Sequence, residues 1–277
     1  MEIPRIPIGN AIEVFIDFLI EYFSFATIAF TKVMDGVIRF IEGWLLALPP
    51  WLFIIAAGSV VWWLSKKRGI AFFSIIGLLL IWSMGLWTAT VSTITLVLIA
   101  TITAIILGLP IGIGAALNQG VYRVVWPILD VMQTMPAFVY LIPAIPFFGL
   151  GKVAAIFATV IFSMPPAIRL TCLGIRQVPK ELVECADAFG SNRWQKLFKL
   201  QLPLATPTIM AGVNQTVMLA LSMVVIAAMI GAGGLGGEVW RAIQRLRMGS
   251  GFEAGIGIVI IAIILDRVLQ QVGAKKR

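Results

Sequence analysis

The chain has 277 residues, of which 60% are hydrophobic and 12% charged, and its formal net charge is +8. A soluble domain carries roughly 25% charged residues, so this composition excludes a soluble protein and predicts one domain embedded in a membrane. The chain has no histidine and two cysteines, which removes the commonest zinc ligand and general base and leaves too few thiols for a disulfide framework. We therefore predict neither a metal site nor a catalytic site, and we expect Cys172 and Cys185 to be reduced.

Residues 1–49 form a first segment that differs from the rest of the chain. It starts with MEIPRIP, which lacks a basic region followed by a short apolar core, so we expect no cleaved signal peptide. Between residues 11 and 47, charged side chains recur about once per turn, a pattern typical of a helix lying in the membrane interface. We predict one or two amphipathic helices on the outer surface, with an eighth membrane span as the alternative. The charged residues are Glu13, Asp17, Glu21, Lys32, Asp35, Arg39 and Glu42.

Residues 50–277 are predicted to form an all-α transmembrane bundle. A spanning helix needs about 20 apolar residues, and the candidate spans are 50–65, 70–88, 90–117, 126–149, 152–171, 205–231 and 253–272. Basic residues favour cytoplasmic loops, and alternation through seven spans puts most basic groups on one side. This orientation leaves the N-terminus outside and the C-terminus in the cytoplasm, although Arg241, Arg245 and Arg247 then fall outside. The basic groups placed in the cytoplasm are Lys66, Lys67, Arg68, Arg123, those from Arg169 to Lys199, and Lys275, Lys276 and Arg277.

Polar side chains interrupt the fourth and sixth spans. Such groups are costly in the membrane and mark candidate transport pathways, although they can also serve only to hold the helices together. These amide and thioether side chains would line a weakly polar route without a fixed charge. Asp130, Asp266 and Arg267 lie near the ends of spans and are interpreted as anchors. The candidate pathway residues are Gln133, Thr134, Met135, Pro136, Asn214, Gln215, Met218 and Ser222.

The charged stretch 176–203 predicts two short helices joined by a bend. Pro179 suits the start of the first helix, whose face carries Glu181, Glu184 and Asp187. Gly190 suits the left-handed position that ends a helix. The second helix, RWQKLFKLQL, carries a basic stripe and is expected to end at Pro203.

Two glycine-rich segments are interpreted as structural. GAGGLGG at 231–237 lacks the Gly-Lys-Ser/Thr ending of a phosphate-binding loop, and we predict a flexible turn on the outer side. Gly108, Gly112 and Gly114 are predicted to allow close packing of helices. The chain therefore has no nucleotide-binding motif.

The charged stretch resembles the "EAA" pattern of ABC importer permeases, which reads E-A-A, three residues, G, nine residues, I-x-L-P. Glu184, Ala186, Gly190 and the run Leu200–Pro203 keep this spacing, while Cys185 replaces the middle alanine and Leu200 the isoleucine. PILDVMQTMPAFVYLIPA, LGIRQVP and PTIMAGVNQTVMLALSMVVIAAMIGAGGLG are similar to permeases of the glycine betaine/proline betaine class. The resemblance covers about residues 50–272.

This resemblance implies the ABC type I importer permease fold and an ATP-driven importer of glycine betaine or a related osmoprotectant in a bacterial or archaeal cell membrane. It implies a second permease copy, two cytoplasmic ATPase subunits that carry ATP and Mg²⁺, and an external solute-binding protein, with no cofactor in this chain and no nucleic acid. Choline, carnitine or proline betaine remain alternative solutes. An ion-coupled carrier and a membrane enzyme are rival classes, but no mid-membrane acid and no catalytic cluster is evident. The residues expected to couple to the ATPase are Glu181, Glu184, Ala186, Gly190 and Pro203.

Overall fold

The structure is a computed structural model that describes residues 8–274, so MEIPRIP and the basic residues Lys275, Lys276 and Arg277 lie outside the described part. All regular elements in the described part are helices, which confirms the predicted all-α class. They are α1 (Ile8–Ala47), α2 (Pro50–Ser65), α3 (Arg68–Ser83), α4 (Trp87–Leu117), α5 (Gln119–Thr134), α6 (Leu141–Phe148), α7 (Lys152–Arg176), α8 (Lys180–Ala188), α9 (Arg193–Gln195), α10 (Leu202–Ala227), α11 (Gly234–Gln244) and α12 (Met248–Ala274).

Helix α1 is one continuous helix of 40 residues. From the sequence we expected either one or two helices in this segment. By length and composition its stretch 12–47 is long enough and apolar enough to cross a membrane. Its C-terminal part packs on the bundle, because Ile38 is only 2% exposed and the ring of Phe30 lies 5.6 Å from that of Phe148. Whether α1 spans the membrane or lies on its surface stays a prediction.

Among the described residues, five helices are long and apolar enough to cross a membrane: α1, α4, α7, the helix from Arg193 to Ile230, and α12. Helices α2 and α3 have 16 residues each, a length of about 24 Å that falls short of a hydrocarbon core of about 30 Å. Both coincide with predicted spans, but the predicted total of seven spans is not confirmed. The predicted span 70–88 ends early, because α3 stops at Ser83 and α4 already starts at Trp87.

Helices α4, α7 and α10 pack around the centre of the bundle. Gly112 allows α4 to touch α7, because a Cβ atom there would lie 2.7 Å from the carbonyl oxygen of Ile168. A Cβ atom on Gly108 would lie 3.1 Å from Ala167, so both glycines serve close helix packing as predicted. Gly114 is different, since the nearest atom to its Cβ position is 3.9 Å away.

The predicted span 126–149 is not a straight helix. Helix α5 ends at Thr134, and the chain turns by 114° before the apolar helical stretch from Ala137 to Phe148. Met135 adopts an extended conformation, as the residue before a proline prefers, and Pro136 begins a short 3₁₀ turn. The hydroxyl of Tyr140 donates a hydrogen bond to the carbonyl of Met132 across this bend. The predicted span 126–149 therefore consists of two helical parts joined by a sharp bend, and its place as a single span stays a prediction.

The GAGGLGG segment is helical and buried in its second half, so the expectation of a flexible turn was wrong for that part. Gly234 to Gly237 are buried and form the first turn of α11. The backbone N–H of Leu235 donates to Thr93 Oγ1 over 2.8 Å, which ties the segment to α4. A Cβ atom on Gly236 would lie 2.6 Å from the carbonyl oxygen of Val224 in α10. The glycines here permit contact between backbones.

The predicted orientation can be checked by labelling single cysteines from outside intact cells. Lys67 and Ser250 are both exposed in loops or helix ends, and the orientation places Lys67 in the cytoplasm and Ser250 outside. In a background with Cys172 and Cys185 replaced by serine, we expect an impermeant maleimide to label Ser250→Cys and to leave Lys67→Cys unlabelled until the cells are opened. Labelling of both positions from the same side would contradict the orientation.

Candidate functional site

The bend of the charged stretch is a helix end closed by a glycine. Helix α8 ends at Ala188, and Gly190 adopts φ +74°, which confirms the left-handed conformation predicted for it. The N–H of Ser191 donates to the carbonyl of Ala186 over 3.0 Å, and the N–H of Gly190 donates to Asp187 over 2.9 Å. These two bonds form a Schellman motif, which satisfies carbonyls that α8 would otherwise leave open.

The second helix of the pair starts with a capping box. The Asn192 side chain accepts from the Gln195 N–H over 2.8 Å, and the Gln195 side chain accepts from the Asn192 N–H over 2.9 Å. The helix then passes through a π-helical turn at Lys196–Gln201 and runs directly into α10. Pro203 is the second residue of α10, and the turn before it is π-helical, with the Leu202 N–H donating to the Leu197 carbonyl. The expectation that Pro203 ends the helix was therefore wrong.

A small apolar cluster fixes this helix pair to the ends of three long helices. Leu197, which is 3% exposed, packs with Ile175 at the end of α7 and Ala205 at the start of α10. Arg176 adds polar contacts to the α4–α5 corner. Its guanidinium donates to the Ala115 carbonyl over 3.0 Å and lies 3.9 Å from the centre of the Tyr122 ring. The cluster therefore joins the helix pair to α4, α7 and α10, and Arg176 joins α7 to α4 and α5.

The outer surface of the helix pair offers both charged and aromatic groups to a partner. Glu181, Glu184 and Asp187 are all exposed, and Asp187 is paired with Lys196 of the second helix. Phe189 is 86% exposed and Trp194 is 69% exposed. Exposed aromatic side chains are enriched at the centres of protein interfaces. This surface suits docking of another protein.

A second site is a cavity of about 460 Å³ between α5, α7 and α10. Gln133, Asn214, Gln215 and Met218 line it together, as does Phe162. The remaining candidate pathway residues do not line it. Thr134 and Ser222 donate to carbonyls of their own helices, Met135 packs on the apolar core, and Pro136 precedes the 3₁₀ turn.

Asn214 connects this cavity to α12. Its side-chain N–H donates to Asp266 over 2.9 Å, and Asp266 also accepts from Gln270. The side-chain oxygen of Asn214 is buried and has no hydrogen-bond partner among the described residues. A buried acceptor without a partner is unfavourable, and the hydrogen bond to Asp266 fixes this amide between α10 and α12.

Sequence reasoning missed Phe162 and Pro166, which line the cavity from α7. The Pro165-Pro166 pair in an apolar run was the available signal, because proline in a spanning helix frees backbone carbonyls. The pairing of Asp130 with Arg169 was also missed. It joins α5 to α7, which is compatible with the anchoring role expected of Asp130.

Comparison with known proteins places the chain in a family. Residues 108–277 match the family model described as binding-protein-dependent transport system inner membrane component. The chain is 51% identical to the glycine betaine transport system permease protein OpuAB of Bacillus subtilis, over 99% of this chain and 97% of that protein. It is 50% identical to the glycine betaine/carnitine transport permease protein GbuB of Listeria monocytogenes, over 99% of this chain and 98% of that protein.

The fold is similar to that of a chain in inward-facing structures of the MetNI methionine ABC transporter. The TM-score is 0.59 at 22% sequence identity, and the match covers 69% of this chain and 93% of that chain. At this identity the similarity shows the fold alone, which is that of an ABC importer permease. Fold, family match and near full-length relatives agree, and the chain belongs to the family of binding-protein-dependent transport system inner membrane components, the membrane permeases of ABC importers.

Proposed function

We propose that this chain is the permease subunit of an ATP-driven importer of glycine betaine or a related quaternary ammonium osmoprotectant. The helix pair bent at Gly190 carries the proposal, because it presents an exposed surface for a partner and is anchored to the long helices of the bundle. Relatives of nearly the same length are named as glycine betaine permeases. Carnitine, choline and proline betaine remain alternative solutes.

The proposed partners are those expected of an ABC importer permease. Two copies of the chain would enclose the pathway, two ATPase subunits would bind ATP and Mg²⁺ below, and a solute-binding protein would deliver solute from outside. The surface with Glu181, Glu184 and Phe189 would sit in a groove of the ATPase. Closure of the ATPases on ATP would move this surface, and the contacts of Leu197 and Arg176 would transmit the movement to α4, α5, α7 and α10.

The cavity beside Asn214 is the proposed passage for solute. Its walls combine amide groups with Met218 and Phe162, which suit the methyl groups and diffuse charge of a quaternary ammonium. The lining includes no ionised side chain. Weak binding without a fixed charge lets a zwitterion enter and leave quickly.

Reconstitution tests the energy source. We expect the purified chain alone to hydrolyse no ATP, because its sequence has no nucleotide-binding motif. With the ATPase subunit and binding protein in a lipid bilayer, we expect ATP hydrolysis that rises when glycine betaine is added. The measurements are phosphate release and uptake of radiolabelled glycine betaine into proteoliposomes.

The control is a preparation whose ATPase subunit carries a mutated ATP-binding lysine, which should abolish uptake. Uptake by this chain alone, driven by a sodium or proton gradient, would contradict the proposal and favour an ion-coupled carrier. Equal stimulation by choline or carnitine would keep the class of transporter and change the solute.

A further inference from the structure

A small crevice lies at the end of the bundle opposite the helix pair, where α7 and α11 begin and α1 ends. Its volume is about 260 Å³, several times the roughly 30 Å³ that one water occupies in the liquid. We call it the charged crevice. The residues that the argument uses are Glu42, Ser92, Lys152, Gly234, Glu238 and Arg241.

The charged crevice contains two ion pairs of opposite groups. Lys152 Nζ lies 2.5 Å and 2.7 Å from the two carboxylate oxygens of Glu42, whose side chain is only 16% exposed. Arg241 pairs with Glu238 over 2.5 Å. The two pairs give the crevice no net charge, so a ligand with a net charge would bring in a charge without a partner, which is unfavourable. A zwitterion can satisfy an acid with one end and a base with the other.

The N-terminus of α11 also lines the charged crevice. Gly233 and Gly234 line it, and the N-cap residue Gly233 supplies no side chain to the helix terminus. The N-terminus of a helix carries partial positive charge and attracts a carboxylate, although the Leu235 N–H in this first turn is already bonded to Thr93 Oγ1. Lys152 and Arg241 also line the crevice, each paired with an acid, so an anion would share these cations with Glu42 and Glu238.

Ser92 is an independent sign of a missing ligand group. It is 9% exposed, it lines the charged crevice, and its hydroxyl is buried without a hydrogen-bond partner among the described residues. Buried hydroxyl groups are normally paired, because an unpaired one is unfavourable. A carboxylate bound beside Lys152 would provide an acceptor for this hydroxyl.

We propose that the charged crevice binds a small zwitterion that carries a quaternary ammonium and a carboxylate. The carboxylate faces Lys152, Arg241 and the start of α11, and the ammonium faces Glu42 and Glu238. The inference rests on the proposed function for the class of solute, and it adds a binding step on the permease itself. By the predicted orientation, this end of the bundle is the side on which solute is delivered.

Binding to the complete transporter in nanodiscs, without the solute-binding protein, tests the proposal. We expect saturable binding of radiolabelled glycine betaine, competed poorly by acetate or tetramethylammonium, each of which carries only one of the two charges. The double variant Glu42→Gln/Lys152→Met removes one pair without leaving an unpaired charge, and we expect it to weaken binding at least about tenfold. The matched control is Asp35→Asn/Arg39→Gln, which removes an exposed pair of 3.8 Å on α1 and should leave binding unchanged.

A charge swap separates binding from folding, in case the neutral variant does not assemble. Glu42→Lys/Lys152→Glu keeps an ion pair but places a carboxylate beside the start of α11, so we expect assembly with weak binding. Wild-type binding by the swap or the neutral variant would overturn the proposal. So would a loss of affinity for the solute-binding protein with unchanged solute binding, since the crevice would then be a protein contact.

Two different results distinguish failure of the charged-crevice proposal from failure of the proposed function. A wild-type transporter that takes up glycine betaine from its binding protein, yet shows no saturable binding on its own, overturns only the charged crevice. A wild-type transporter that takes up no betaine from a loaded binding protein contradicts the proposed function itself.

Discussion

Gly190→Val is expected to abolish most transport while the protein is still made and inserted. Gly190 adopts φ +74°, and no atom lies within 4 Å of the position that a Cβ atom would occupy. The effect of the substitution is therefore backbone strain of roughly 1–2 kcal/mol, somewhat more for a β-branched residue. The bend can relieve this strain by opening the Schellman motif, which would tilt α8 and its exposed Glu184. A free-energy change of this size corresponds to about tenfold weaker binding of the ATPase.

The measurements are membrane level by immunoblot, co-purification of the ATPase, and uptake of glycine betaine. Gly190→Asn is the matched control, because asparagine tolerates the left-handed conformation better than other residues. We expect it to retain more ATPase and more uptake than the valine variant. Normal uptake by Gly190→Val with its ATPase bound would show that this bend is not the coupling element.

Gly236→Ala is expected to destabilise the whole bundle. The added methyl group would lie 2.6 Å from the Val224 carbonyl oxygen and 2.9 Å from the Val225 Cα atom. Both are backbone atoms, so α10 and α11 must separate to make room. Overpacking of this kind typically lowers the free energy of unfolding by about 1–3 kcal/mol.

Gly237→Ala is the matched control, because no atom lies within 4 Å of its Cβ position. Both positions lie in the first turn of α11, so replacing glycine with alanine raises helix propensity equally in the two variants. A difference between their stabilities therefore reports the packing at Gly236. We expect a lower midpoint of thermal unfolding for Gly236→Ala alone, measured by size-exclusion chromatography of heated samples. Equal midpoints for the two variants would contradict the contact between α10 and α11.

Features set by neighbouring residues were predictable from the sequence. The positive φ of Gly190 follows from a helical pattern that ends in glycine before a capping residue. The contacts of Gly108 and Gly112 follow from small residues repeated in an apolar run. The all-helical bundle follows from apolar segments of spanning length. In each case the decisive information lies within about one or two turns of the chain.

Features set by distant residues were not predictable. Prolines in an apolar run are compatible with a straight span or a sharp turn, and the hydrogen bond from Tyr140 to Met132 accompanies the turn. A glycine-rich segment can be mobile or tightly packed, and contacts with Thr93 and Val224 show that GAGGLGG is packed. The pair Glu42–Lys152 joins residues 110 positions apart. Nothing in the local pattern of either residue indicates the other.

The helix from Arg193 to Ile230 has a mechanical consequence. Its 38 residues form a rod about 57 Å long, which reaches from the proposed ATPase-binding surface to the segment that starts α11. A rod of this kind acts as a lever, and a small tilt at the Trp194 end becomes a larger displacement at the Ile230 end. The π-helical turn at Lys196–Gln201 is a place where such a helix yields. Because this turn lies close to one end, a tilt at the Trp194 end reaches the Ile230 end only while the turn stays rigid, and bending there would uncouple the two ends of the helix.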